Sequence, residues 1–532
     1  MSGKPSFVTN TLLLTAAGGI ARLLGAVYRI FLSRAIGDDG IGLFQMAFDL
    51  NLVLTTIAIS GLPLAISKLI AERYEEGDTP GAERLFRVSF IGCTCIGVVC
   101  AIALYAGAPF LIHTLLQEPR ALLPLRYMAL SLVAAFMAAP LRGYFQGRQQ
   151  MLPRAISETL EQLVRVGAIF TLVWLWQSRG TEYAAGGATL GVSLGAVAGF
   201  LYILGEFWRQ REKGVAGKAA RKLSLVAVIS QLIKVALPVI LGGLIWPLMR
   251  LADTLLVHMR LISVGFTPER ATELFGQFSG QAGPLINLPS ILTVSLAASL
   301  LPSIAAALTR RDIEELHGQC NLALKLAIDF GLPAATGLFL LATPVATALY
   351  GNPEAGPVIA SYSWVILFLL LFQTTTSILQ GIGKMQAPVL AMVAGVLLKS
   401  CLTFWLCGLP HMHIYGAGWA SALGMALAVL VNLAVIFREL HLPPVFRGLL
   451  WAPGGATILM ACLVHFGYLY IASRWASSLA LLLIIPLGVF VYGAVLVLAG
   501  GFTREELKAI PGINTLVSQL PSRIIPSSKK EQ

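Results

Sequence analysis

Charge is what this chain has least of. Only 12% of its 532 residues are Asp, Glu, Lys or Arg, where a soluble domain carries roughly 25%. So little charge cannot cover a water-facing globule of this size. With 57% hydrophobic residues and a mean hydropathy of +0.79, the chain belongs in a bilayer. Acids are scarcer than bases, 26 against 38, giving a net charge of +12. That excess would suggest nucleic acid if the bases gathered on one soluble face, but here they sit in short loops between apolar runs. Strand-like alternation with turn signals at about ten-residue intervals is missing, which argues against a β-barrel.

Recognisable chemistry is scarce as well. Cys93, Cys95 and Cys100 lie in one apolar run, where cysteine behaves as a small hydrophobe. Cys320, Cys401, Cys407 and Cys462 are scattered without ligand spacing. No nucleophile–base set, phosphate loop or HExxH occurs. The expectation is a non-enzyme with no metal site and no cofactor. Lys4 followed by an apolar run imitates a signal peptide, but the run continues through Arg22 towards Ala35 and reads as a retained first helix.

What the chain does have is fourteen apolar runs near bilayer length, from 8–34 and 41–71 to 450–472 and 477–499. The even-numbered loops hold most of the lysines and arginines, which places both termini in the cytoplasm of a multi-pass cell-membrane protein. An internal repeat lies beneath this pattern. Ser60-Gly61-Leu62-Pro63 is matched by Ser299-Leu300-Leu301-Pro302, Glu118-Pro119 by Asn352-Pro353, and Gln146-Gly147 by Gln380-Gly381. Pro109 pairs with Pro344 and Pro153 with Pro388, all at an offset of about 234–239 residues. A repeat with an even number of spans keeps one topology in both copies.

The fold class expected is therefore an all-α polytopic membrane protein of about fourteen transmembrane helices, with two pseudo-symmetric six-helix lobes and two C-terminal helices. The lobes are 1–208 and 225–440, joined by a basic cytoplasmic linker at 209–224. Helices 13 and 14 occupy 441–500, and 501–532 forms a cytoplasmic tail. Two like lobes side by side suit an alternating-access carrier that works as a monomer.

Ionisable residues inside the spans are the site candidates, because an arginine at mid-helix costs about 2.5–3.5 kcal/mol on insertion scales. Arg22 and Arg29, seven apart, share one face of helix 1. Two readings stay open: pairing with a carboxylate or snorkelling, and a cavity that holds an anion. Arginine's planar fork suits a phosphate or diphosphate. Asp49 is the nearest acid in helix 2 to neutralise a helix-1 arginine, as a structural ion pair or as a gating or coupling group. Asp38 and Asp39 read as solvated turn residues.

In helix 7, Arg250 and Asp253 are three apart and can pair. Pro238 and Pro247 interrupt its hydrogen-bond ladder and could act as hinges, as could Pro284 and Pro289 in the helix-8 stretch GQFSGQAGPLINLPS. Glu158, Glu161 and Arg165 read as a self-satisfied cluster, and Lys325 with Asp329 likewise. Lys399 and Asn432 stand alone, and Asn432 joins the coupling candidates.

The stretches ARLLGAVYRIFLSRAIG, SGLPLAISKLIAERYEEGD, RGYFQGRQQMLPRAISETLEQLVRV, GPLINLP and LQGIGKMQAP carry a resemblance to the stage V sporulation protein B family. That family belongs with the MurJ-type lipid II flippases of the multidrug/oligosaccharidyl-lipid/polysaccharide exporter superfamily. The likeness covers essentially the whole chain. It implies fourteen helices, a central cationic cavity, and a groove beside helices 13 and 14 for a lipid tail. Arg22 matches that family's first-helix arginine, and Arg29 sits one position from its second. Thr55-Thr56 and the uncharged GPLINLP replace two further arginines, a charge that Arg250 would supply.

The reading is a flippase for an undecaprenyl-diphosphate-linked cell-wall precursor, with lipid II the leading candidate. The alternatives are an exporter of another lipid-linked saccharide and a cation-coupled multidrug exporter. Partners would be the lipid-linked saccharide, membrane lipids and cell-wall synthases, with no nucleic acid. A sodium gradient, a proton gradient and the membrane potential all stay open as energy sources.

Overall fold

A bilayer interior offers no water to backbone N–H and C=O groups, so a spanning chain must satisfy them itself. In the computed structural model the described residues form helices and no strand. The described residues are 7–210, 225–441, 446–474 and 476–501; the side chains of 7–24, 26–27, 225, 291–299, 302 and 446–449 fall outside them. Twelve described segments are long and apolar enough to cross a membrane. The first, Tyr28–Glu75, contains parts of two spans read from the sequence, and 280–308 includes side chains outside the described residues.

Packing divides the chain into two units, Met1–Gln281 with Cys407–His413, and Ala282–Leu406 with Ile414–Gln532. The first holds α1 (Phe7–Ile59), α2 (Leu62–Glu75), α3 (Thr79–Phe110), α4 (Leu122–Gly147), α5 (Met151–Trp176), α6 (Thr181–Gln210), α7 (Leu225–Ser263) and α8 (Pro268–Phe275). Helix α1 contains the break between spans one and two: Gly37 takes φ 70°, which a residue with a Cβ adopts at a cost, and a second helical stretch follows. Helix α7 packs on α1, α2, α3 and α8, so by contact it groups with the first lobe's helices, whereas the repeat assigns it to the second. Residues 211–224 of the expected linker and 502–532 of the tail lie outside the described residues.

The second unit holds α9 (Gly283–Asn287), α10 (Ser290–Arg310), α11 (Ile313–Leu340), α12 (Ala342–Tyr350), α13 (Ala355–Ser363), α14 (Val365–Gly381), α15 (Gln386–Leu406), α16 (His413–Leu440), α17 (Phe446–Ala472) and α18 (Ser477–Leu498). Helices α17 and α18 pack on each other and on α11 and α12, through Leu341, Met460, Val464, Leu481 and Ile484.

The repeat has a packing counterpart inside each unit. A Cβ on Gly147 of α4 would stand 2.8 Å from Ser67 O and 2.9 Å from Ile70 Cγ2 of α2. A Cβ on Gly381 of α14 would stand 2.8 Å from Ile304 Cγ2 and 3.4 Å from Leu301 O of α10. The Gln-Gly pairs thus mark the same close helix crossing in both copies, where only a missing side chain lets backbones meet. Gly195 repeats the device: its Cβ would lie 2.6 Å from Glu161 O and 2.7 Å from Arg165 Cβ, as a Cβ on Gly424 would lie 2.6 Å from Lys399 Cβ.

Gly195→Val should therefore destabilise the first unit by about 1–3 kcal/mol through overpacking. Gly205→Ala, where a Cβ meets nothing within 4 Å, should cost no stability. Thermal unfolding of the purified protein in detergent reads both, and equal midpoints for the two variants would contradict the tight α5–α6 contact.

Candidate functional site

The polar centre of the first unit is Asp49, fully buried in α1. A carboxylate in such a place needs donors, and it has three. Arg250 Nε of α7 donates to Oδ1 at 2.8 Å, Gln45 Nε2 donates to the same oxygen at 2.8 Å, and Thr254 Oγ1 donates to Oδ2 at 3.1 Å. Gln45 and Thr254 each stand one helical turn from a member of the ion pair, so both helices present donors to the one acid. Arg250 Nη2 also donates to Ser279 Oγ at 3.2 Å, in a π-helical stretch, Gly276–Ala282, that continues α8. The sequence offers Asp49 to a helix-1 arginine and lets Arg250 pair with Asp253; the structure joins Asp49 to Arg250 across 201 residues of chain. Asp253 is buried in the same helix.

Arg29 stands half-buried in α1 with its guanidinium carbon 5.3 Å from the Phe48 ring centroid. It forms no ion pair with a described residue, so its charge rests on a ring face, an attraction of about 0.5–2 kcal/mol. The backbone of Arg22 is helical, and its side chain lies outside the described residues.

A second polar cluster in this unit was not legible in the sequence. Arg120, just before α4, donates from Nη1 to Asp39 Oδ2 at 2.7 Å and from Nε and Nη2 to both oxygens of Glu118 at 2.8 Å. Thr272 Oγ1 donates to Glu118 Oε2 at 2.7 Å. Beside it, Gln277 Nε2 and Gln281 Nε2 donate to the two oxygens of Asp38 at 2.7 and 2.6 Å. Asp38 and Asp39 are thus network members, not the solvated turn residues expected. The reason is a close approach: a Cβ on Gly276 would fall 2.2 Å from Asp38 O, which puts the π-helix directly on the turn after Gly37. Glu118, at 1% exposure, would have its pKa raised by burial, but the hydrogen bonds from Arg120 and Thr272 outweigh this and hold the carboxyl below its ordinary value.

The remaining candidates are dispersed. Helix α7 stays helical through Pro238 and Pro247, each of which removes one backbone donor from its hydrogen-bond ladder. Pro284 lies in the first turn of α9, and at Leu288 and Pro289 the backbone keeps right-handed helical angles while the helical hydrogen-bond run is interrupted before α10. Asn432 is fully buried in the second unit and donates to Thr375 Oγ1 at 3.1 Å. Glu161 and Glu158 do form a local cluster, and it recruits Arg142 and Arg154 besides Arg165. Among the described residues no group of His, Cys, Asp and Glu could hold a metal ion.

Removing one member of a buried ion pair costs about 3–5 kcal/mol because the other charge is left uncompensated. Asp49→Ala and Arg250→Ala should each destabilise on that order, and the double variant by less than their sum; additive losses in unfolding experiments would mean the groups do not act as a pair. The lowered pKa of Glu118 sets a second expectation. Its stabilisation is present above the ordinary Glu range, about pH 4.3, and is lost as pH falls through the lower folded value. Unfolding midpoints should therefore drop on acidification in the native protein, and Glu118→Gln should be less stable at neutral pH and less sensitive to acid.

The pattern of the polysaccharide biosynthesis protein family matches residues 7–308, and that of MatE matches 280–405. Stage V sporulation protein B of Bacillus subtilis (strain 168) is 29% identical over 97% of this chain and 99% of its own. The lipid II flippase MurJ of the same organism is 28% identical over 82% of this chain and 84% of its own. Among solved structures, the lipid II flippase MurJ in an inward closed conformation aligns with a TM-score of 0.70 at 15% identity, over 91% of this chain and 98% of that one. An inward-facing multidrug resistance MATE transporter of the MOP superfamily aligns at 0.66 and 16%, over 79% and 94%. The fold is thus shared with flippases and drug exporters alike, and a family pattern over more than half of the sequence makes this multi-pass membrane chain a member of the polysaccharide biosynthesis protein family.

Proposed function

We propose that this protein is a flippase, and no enzyme, which moves an undecaprenyl-diphosphate-linked cell-wall precursor, lipid II before others, between the leaflets of the cell membrane. The observation that carries the reading is Arg29: an intramembrane arginine, half-buried, with no carboxylate partner among the described residues. A cation kept at such a cost without a resident anion suits an anionic ligand. Arg22, one face along the same helix, is proposed to share the diphosphate, and Arg250 to join it when its hold on Asp49 loosens. The relatives named as lipid II flippases support the same substrate class.

In this reading the two lobes, 1–208 and 225–440, alternate access to the diphosphate while the prenyl chain stays in lipid beside helices 13 and 14. The basic loops and both termini lie in the cytoplasm. Pro238, Pro247, Pro284 and Pro289 are the proposed hinges. Asp49, Asp253 and Asn432 are the proposed coupling groups, for a sodium ion, a proton or the membrane potential. A multidrug exporter would want an acid to meet a cationic drug, and Asp49 is already met by Arg250.

A desolvated arginine–phosphate contact contributes about 1.5–3 kcal/mol, so Arg29→Ala should slow transfer roughly 10- to 150-fold. The test is reconstitution in vesicles, following leaflet exchange of labelled lipid II and of another prenyl-diphosphate saccharide, with and without ion gradients. Transfer of lipid II that Arg29→Ala slows by that factor supports the reading. Transfer of the other saccharide alone replaces the substrate, and no transfer of either overturns the proposal.

A further inference from the structure

Four of the half-buried arginines near the α4–α5 end of the first unit reach a carboxylate. Arg73 reaches Asp78 at 3.1 Å, Arg142 reaches Glu161 at 2.8 Å, Arg154 reaches Glu158 at 2.9 Å, and Arg165 also reaches Glu161. Arg148, the residue after α4, is equally half-buried and reaches no carboxylate among the described residues. Its guanidinium carbon lies 5.5 Å from the ring centroids of both Tyr74 and Tyr144, and its Nη1 donates to Tyr144 Oη at 3.0 Å.

The two phenol oxygens stand 3.5 Å apart. The Tyr144 ring packs against Phe86 and Phe207, at centroid distances of 5.1 and 5.2 Å. The crossing that seats them is the one Gly147 permits, since α2 ends in the turn that carries Tyr74.

Chemically this is a donor set without an anion. A guanidinium has five N–H groups, and the arrangement uses one of them on Tyr144. The unused ones are not fully shut away from solvent: fully buried guanidinium nitrogens without a partner occur in Arg126, Arg142 and Arg165 but not in Arg148. Having accepted from Arg148, the Tyr144 hydroxyl still has its own proton to give. Glu83, the carboxylate that acts on Tyr74, is exposed and makes no bond to Arg148, while Arg84 and Arg87 stand exposed on the same stretch of α3 as Phe86. A cation, two hydroxyls and flanking positive charge at the end of spanning helices fit the phosphate of a lipid headgroup.

We propose that Arg148, Tyr74 and Tyr144 form a docking site for a lipid phosphate, on the face assigned above to the cytoplasm. The site is separate from Arg29 and the Asp49–Arg250 pair and does not depend on what the protein transports. Arginine supplies the charge and a directed N–H edge; the tyrosines hold its plane and add a hydroxyl donor.

The test is native mass spectrometry of the full-length protein in detergent, titrated separately with phosphatidylglycerol, undecaprenyl diphosphate and phosphate-free diacylglycerol. Arg148→Gln should weaken binding of a phosphate-bearing lipid about tenfold and leave diacylglycerol unchanged. Arg179→Gln, at an exposed position beyond the opposite end of α5, should change little. Loss for both phosphate lipids supports a general headgroup site. Loss for undecaprenyl diphosphate alone makes the site a loading station for a prenyl-linked substrate, and loss for phosphatidylglycerol alone makes it a phospholipid anchor. Unchanged binding, or equal loss of diacylglycerol, overturns the proposal and leaves a structural clamp between α2 and α4. Should Arg148→Gln not fold, the double variant Tyr74→Phe, Tyr144→Phe keeps the cation and removes the hydroxyls. It should lose phosphate-lipid binding a few-fold, and no loss would again overturn the site.

Discussion

A buried carboxylate in a lipid-embedded protein has to be met by donors, and Asp49 shows how many that takes. Three side chains from two helices converge on its two oxygens, and the arginine among them is itself steadied by Ser279. Lipid offers no hydrophobic drive between helices, so packing and polar contacts of this kind hold them together. The pair ties α7 to α1 and brings the π-helical stretch after α8 against the same site. The cluster of Asp38, Asp39, Glu118, Arg120 and Thr272, with Gln277 and Gln281 beside it, ties α1 to α8, to the π-helical stretch and to the segment before α4. Between these two polar contacts, α1, α7 and α8 are fixed in register inside one unit.

Glycine does for the apolar contacts what the ion pairs do for the polar ones. Gly147 and Gly381 sit at matching crossings in the two units, as do Gly195 and Gly424. Each lets a backbone carbonyl or Cβ approach where any side chain would collide. The repeat is thus a repeat of close approaches as much as of sequence, and the chemistry-bearing residues are superimposed on it unequally. Arg165 and Lys399, both facing such a glycine, keep positive charge at equivalent places. Asp49 and Arg250, both in the first unit, instead meet each other.

Much of the architecture could be read from the chain itself. Hydropathy alone gave the spans, because twenty apolar residues have few stable alternatives to a membrane helix. The merging of the first two spans into α1 was not visible, since Gly37 breaks the helix without ending it. The site was half legible. Arg29, Asp49 and Arg250 stood out because charge in a span is costly, but which acid meets which base depends on helix faces that periodicity does not compare across 201 residues. Asp38 and Asp39 looked like solvated turn residues because they fall between the first two apolar runs, and nothing local announces that Gly276 lets a distant helix cover them.

Sequence by itself determined the class of this protein: the membrane as its solvent, an all-helical build, and the scarce charges that deserve a reason. Those follow from composition and spacing, which act locally. Tertiary structure alone decided the partnerships. Arg250 neutralises Asp49, Arg120 bridges Asp39 and Glu118, and Arg148 lies against two tyrosines where its neighbours take acids. These are contacts between faces of different helices, set by how closely the backbones approach, and no one-dimensional pattern carries that distance.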